Sequence, residues 1–73
     1  SNIENRILCD YVWQAIQSEL TDYQKHIIIL RFLEGFSLRE TAQILGKSVN
    51  SIKVSQNRAV MTLRKSLDQW KMA

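Results

Sequence analysis

Between Ser37 and Ser48 the sequence spells out a helix start, a helix stop and a second start, and no other stretch restricts the fold as tightly. Ser37, with Glu40 three residues on, is a capping box. The hydroxyl can accept from a free backbone N–H of the first turn while the carboxylate reaches back to the capping residue's own N–H. Gly46 can adopt the left-handed conformation that ends a helix, with no Cβ penalty. Ser48 is a good N-cap for the segment that follows. The spacing therefore predicts a short helix over 38–45 with Leu38, Thr41/Ala42 and Leu45 inward, a turn at Gly46-Lys47, and a long helix from Val49 through Leu67, with 68–73 as its extension and Trp70 as a last inward anchor. Two helices joined by a tight glycine-containing turn form a helix-turn-helix, here at about 37–67. Ala42 is small and stands four residues before Gly46, which leaves room for the two helices to cross closely.

The long helix divides into two faces. At about 100° per residue, Val49, Ile52, Gln56, Ala59, Val60, Leu63, Leu67 and Trp70 share one side, with Gln56 its single polar member. The other side holds Asn50, Ser51, Lys53, Val54, Asn57, Arg58, Met61 and Lys65. Cations suit phosphates and guanine, an amide suits adenine, and an apolar tip suits a thymine methyl. An ordinary solvated helix face has a similar composition, so the rest of the chain has to decide between the two.

Charge distribution favours a polyanion. Residues 46–73 carry six cations against Asp68, whereas residues 1–45 carry four cations against six acids. A basic segment on a mildly acidic body presents one surface to nucleic acid and another elsewhere. A membrane surface ranks well below nucleic acid, because the outer face of 49–67 lacks the bulky apolar ridge of an interfacial helix. With 73 residues, 45% of them apolar, no proline and two glycines, the expected fold is all-α, one small four-helix domain spanning 1–73. The lone Cys9 cannot form an internal disulfide and is expected as a small core residue. No signal peptide or membrane span is visible, so the chain is expected to be cytoplasmic and to be an excised part of a longer polypeptide.

Two helices precede the motif. The first, over 3–19, sets Ile3, Ile7, Leu8, Tyr11, Val12, Ala15, Ile16 and Glu19 at three- and four-residue steps. Thr21 with Gln24 is another capping box, opening a second helix from about Asp22 to Glu34, stopped by Gly35. That helix is apolar over more than one face from Ile27 to Leu33, so Ile28, Ile29 and Phe32 are expected to form a partner-binding patch. His26 has no second ligand at metal spacing and is assigned no role.

These residues also carry a family resemblance. Leu20-Thr21-Asp22-Tyr23-Gln24, Ile29 to Ser37, Glu40 to Gly46, Val49-Asn50-Ser51-Ile52-Lys53-Val54, Arg58-Ala59 and Leu63-Arg64 closely resemble the C-terminal domain of bacterial sigma factors, nearest the extracytoplasmic-function group. The resemblance runs over roughly residues 12–67 and includes the helix around Trp13. It implies a module that docks on the β-flap of RNA polymerase and reads double-stranded promoter DNA at the minus-35 element. The family's groove-facing positions match Lys53, Val54, Asn57 and Arg58. The family often has arginine where this chain has Ser55, and an apolar residue where it has Gln56.

The expected division of labour follows. Asn50, Ser51, Lys53, Val54, Asn57 and Arg58 are candidates for base edges, while Arg39, Lys47, Ser48 and Lys65 are candidates for phosphates, aided by free N–H groups at the helix start. Two other functions fit parts of the pattern. One is the helix-turn-helix effector domain of a response-regulator or quorum-sensing activator, against which the Arg58-Ala59…Leu63-Arg64 tail and the Trp13 helix argue. The other is a module used mainly for binding protein, an anti-sigma factor included. No paired carboxylates, nucleophile–base pair, phosphate-cradling glycine loop or metal-spaced cluster is present, so no enzyme, cofactor, metal or small-molecule ligand is expected.

Overall fold

A computed structural model describes residues 2–72; Ser1 and Ala73, the ends of the expected domain, lie outside the described residues. Four helices follow one another: α1 (Asn2–Glu19), α2 (Asp22–Ile28), α3 (Leu38–Leu45) and α4 (Val49–Met72). A wide π-type segment, Ile29–Leu33, continues α2 without a break. No strand occurs among the described residues.

The helix boundaries are set by local chemistry. The N–H of Gln24 donates to Thr21 Oγ1 at 3.2 Å, and the N–H of Thr21 donates to Gln24 Oε1 at 3.1 Å, completing the first capping box. The second repeats it, with Glu40 N–H on Ser37 Oγ at 3.0 Å and Ser37 N–H on Glu40 Oε1 at 2.9 Å. Gly46 sits at φ 66°, and the N–H of Lys47 returns to the Ala42 carbonyl at 3.0 Å, the six-to-one bond of a Schellman stop. At the end of α2, Gly35 takes φ 81° and the N–H of Phe36 reaches back six residues to the Leu30 carbonyl at 2.9 Å. An ordinary stop reaches back five; the additional residue is the one the wide turn inserts, marked by Glu34 N–H on the Ile29 carbonyl.

Helix α4 is the spine. Its 24 residues span about 36 Å at 1.5 Å per residue, nearly the 38 Å long axis of the molecule. Two apolar clusters sit along it. Near the turn, Ile27, Ala42 and Ile52 are buried, with Tyr23, Leu38 and Leu45 packed against them. Further along, Ile16, Leu20, Ile28 and Ala59 are buried, with Val12, Val60 and Leu63 around them. Neighbouring isoleucines of α2 thus serve different clusters, Ile27 one and Ile28 the other.

This arrangement corrects two expectations. Ile28, expected on an outer patch, is only 5% exposed, because α2 is wedged between the clusters and needs an apolar residue for each. Cys9, expected in the core, is exposed on α1. It lies in phase with Ile16 but two turns nearer the N-terminus, beyond the layer where the second cluster forms. For the same reason Ile3 and Ile7 are exposed, and Ala15 and Ile16 are the buried residues of α1. The outer part of α1 is instead tied to the far end of α4, where Tyr11 Oη donates to the Ser66 carbonyl at 2.7 Å and its ring lies 6.1 Å from that of Trp70.

Candidate nucleic-acid interface

The turn and the first half of α4 build the basic face. The Ser51 N–H donates to Ser48 Oγ at 3.1 Å and the Ile52 N–H to the Ser48 carbonyl at 3.1 Å, so Ser48 caps α4. Behind the helix, Ile52 and Ala59 are fully buried. Directly opposite, Asn50, Lys53, Val54, Asn57 and Arg58 are exposed, and Lys65 continues the same side two turns on. Arg39 on α3 and Lys47 and Ser48 at the turn are also exposed. The aligned peptide dipoles place partial positive charge at the start of α4, beside Lys47. The arrangement offers an anion fixed dipoles and mobile cations together at the turn, with polar side chains exposed one turn further in.

Ser51 departs from the expected site. It is half-buried, and its Oγ lies 3.2 Å from Tyr23 Oη, so the hydroxyl is shared with α2 rather than offered to a groove. Val49, expected inside, is 43% exposed, since a residue at the first helical position precedes the layer that α2 and α3 cover. Gln56, the polar member of the inner face, accepts from Arg31 Nε at 2.9 Å. Its carboxamide thus occupies a place where an apolar side chain would have met a guanidinium without satisfying it.

Two structural partners, Tyr23 and Arg31, were not read from the sequence. Tyr23 lies under Lys47, whose ammonium is 5.9 Å from the ring centroid, and also meets Ser51. Arg31 bonds Gln56 and, through Nη1, the Phe36 carbonyl at 2.6 Å. Leu33, beside the expected patch residue Phe32, is 64% exposed against 57% for Phe32. These two residues flank an apolar groove of about 340 Å³ between α1, the wide turn and the second half of α4, while Ile29, also expected in the patch, is half-buried outside its lining. Val12, Ile16, Ile28, Val60, Leu63 and Leu67 also line it. The groove lies along residues 60–67 of α4, and the exposed set Asn50, Lys53, Val54, Asn57 and Arg58 lies along 50–58.

One titratable group on the motif is perturbed. The Glu40 carboxyl is held below its usual value of 4.5, first by the backbone N–H of Ser37 and then by the Ser37 hydroxyl. Its charge belongs to the α3 cap, at the helix end where a negative charge is favoured. The structure thus accounts for Glu40 as a cap.

Comparison with known proteins agrees with this geometry. Residues 18–65 match the family described as sigma-70, region 4. The chain is 39% identical over 54 residues to the ECF RNA polymerase sigma factor SigX of Bacillus subtilis, covering 74% of this chain and 28% of that protein. It is 39% identical over 66 residues to the ECF RNA polymerase sigma factor BldN of Streptomyces coelicolor, covering 90% of this chain and 23% of that one. With the ECF RNA polymerase sigma factor ShbA of Streptomyces griseus the identity is 33% over 61 residues, covering 82% of this chain and 32% of the other. The chain therefore spans about a quarter to a third of the length of these relatives. No solved structure matches it at comparable significance. The response-regulator alternative is not favoured by these matches. The capped three-residue turn, the buried Ile52–Ala59 ridge and the match over 18–65 lead to one assignment: the chain belongs to the sigma-70 region 4 family, on the side of the extracytoplasmic-function sigma factors.

Proposed function

We propose that residues 1–73 form one domain of a longer sigma factor, that its α4 lies in the major groove of the promoter minus-35 element, and that its apolar groove docks on the RNA polymerase β-flap. The observation that carries this reading is the division of α4, with Lys53, Asn57 and Arg58 exposed on one side while Ile52 and Ala59 are fully buried on the other. Base edges are read by Asn50, Lys53, Val54, Asn57 and Arg58, and Ser51 is left out of that set because Tyr23 holds its hydroxyl. Arg39, Lys47, Ser48 and Lys65 meet phosphates and fix the register. The β-flap part of the reading is supported by Phe32 and Leu33, two large apolar side chains left exposed at the rim of a groove lined almost entirely by apolar side chains. An anti-sigma partner would compete for that same groove. The module binds and assigns no catalytic role to any residue, and among the described residues no helix is long and apolar enough to cross a membrane.

An isolated domain this small binds DNA weakly, and firm recognition comes from the polymerase holding it as one arm of a multivalent contact. The test accordingly uses the whole sigma factor in holoenzyme. Arg58→Ala is expected to weaken binding to a matched duplex by roughly 1–3 kcal/mol and to relax preference at one base pair. Lys47→Ala is expected to weaken matched and scrambled duplexes alike. Equal losses from both variants on both duplexes would refute the assignment of roles.

A further inference from the structure

Two polar side chains in the first half of α4, Ser51 and Gln56, are half-buried and bonded to the helix behind them. Tyr23 Oη meets Ser51 Oγ at 3.2 Å, and Arg31 Nε donates to Gln56 Oε1 at 2.9 Å. The Arg31 guanidinium is itself fixed by its bond to the Phe36 carbonyl, across the turn that ends the wide segment. At about 100° per residue, Ser51 lies about 100° to one side of Ile52 and Gln56 about 40° to the other. The two bonds therefore grip α4 on opposite flanks of its buried ridge.

That placement decides what the bonds can do. Apolar burial is non-directional, so by itself it resists separation of α4 from α2 more than rotation of α4 about its own axis. Ala59, the next buried residue on the ridge, has too little bulk to key the helix sterically. A roll of ~20° at a side-chain radius of ~6 Å carries an outward tip by ~2 Å. The window for an N–H···O bond is only about 0.5 Å wide, so a roll of that size breaks base readout while leaving looser phosphate contacts in reach.

Building on the promoter reading, we propose that Tyr23 and Arg31 are positioning residues that set the roll of α4 through Ser51 and Gln56, and that base selectivity depends on them although both act from behind the helix. Arg31–Gln56 is the stronger of the two bonds because its donor is charged. Gln56, a departure from the apolar residue the resemblance leads one to expect, gives this chain a directional anchor at that point.

The test compares wild type, Gln56→Leu, Gln56→Glu and Tyr23→Phe, each as the whole sigma factor in holoenzyme, on matched and scrambled duplexes, with thermal melts confirming that each variant is folded. Gln56→Leu is expected to lower the matched-to-scrambled affinity ratio about tenfold, with scrambled binding changed by about twofold or less. Gln56→Glu keeps an acceptor for the guanidinium; it weakens both duplexes by added negative charge but keeps the wild-type ratio. Tyr23→Phe removes one hydroxyl and lowers the ratio about threefold, the lesser effect expected of a neutral bond. A wild-type preference that Gln56→Leu leaves intact, or a ratio that Gln56→Glu lowers as far as Gln56→Leu does, overturns the positioning role alone. A wild-type protein with no preference between the duplexes overturns the promoter reading, and the positioning role with it.

Discussion

Replacing Ile52 by alanine, beside Val49 by alanine, tests the rotational setting of α4 through stability alone. Ile52 is fully buried against Ile27 and Ala42, while Val49, three residues earlier, is 43% exposed. Ile52→Ala removes three carbon groups, which at ~0.8 kcal/mol each is about 2.4 kcal/mol of lost transfer energy. The cavity left between three helices adds to this, giving an expected loss of about 3–4 kcal/mol, inside the usual range for such changes. A chain of this size has roughly 4–11 kcal/mol to lose, so the variant gives up about a quarter or more of its stability. Val49→Ala removes two half-exposed groups and gains a few tenths of a kcal/mol in helix propensity, for a net cost of about 0.5 kcal/mol. Urea unfolding followed by helical circular dichroism measures both, with Ile52→Val, expected at about 0.5–1.5 kcal/mol, as the graded control. Equal costs for Val49→Ala and Ile52→Ala would mean that α4 is rotated from the position described, and the outward set of side chains would change with it.

Three further outcomes follow from particular groups. Thr41 Oγ1 is fully buried and has no hydrogen-bond partner among the described residues, so Thr41→Val, which keeps the shape and removes the orphan hydroxyl, should stabilise by about 1 kcal/mol and raise the melting temperature by about 4–8 °C. Gly46 holds φ 66° with open space where a Cβ would go, so Gly46→Ala should cost about 1–2 kcal/mol from backbone strain alone and leave the helical spectrum unchanged. Because the folded chain holds the Glu40 carboxyl below 4.5, its stabilising effect is complete above that pH and is lost as pH falls through the lowered folded value. Acid titration of stability should therefore lose part of its slope in Glu40→Gln, whose side chain keeps the capping geometry without the charge.

How much of this was legible in the sequence depended on the range of the force involved. Thr21, Ser37, Gly46 and Ser48 announce helix ends because their chemistry acts within three or four residues, and each end falls where those residues put it. The outward position of Lys53, Val54, Asn57 and Arg58 was legible because a 3.6-residue period needs only one buried face to fix it. The wide turn at Ile29–Leu33 was not legible, since the apolar run looks alike for α and π geometry. That run was read as a patch, whereas α2 serves two clusters at once and Ile28 goes inside. Ser51 looked free because its partner, Tyr23, is 28 residues away, and no local rule gives such a pairing. Cys9 and Ile7 show the converse: correct periodicity buries nothing where no neighbouring helix reaches.

Promoter recognition through the outer side of α4 is tested most directly by proximity in the open complex. A photo-reactive amino acid placed at Asn57 in the whole sigma factor, bound in holoenzyme to a promoter with a labelled minus-35 element, is expected to cross-link to bases of that element. The same group at Glu34, exposed at the end of the wide turn, is expected to leave those bases unlabelled. Cross-links to the minus-35 bases from Glu34 and none from Asn57 would contradict the account.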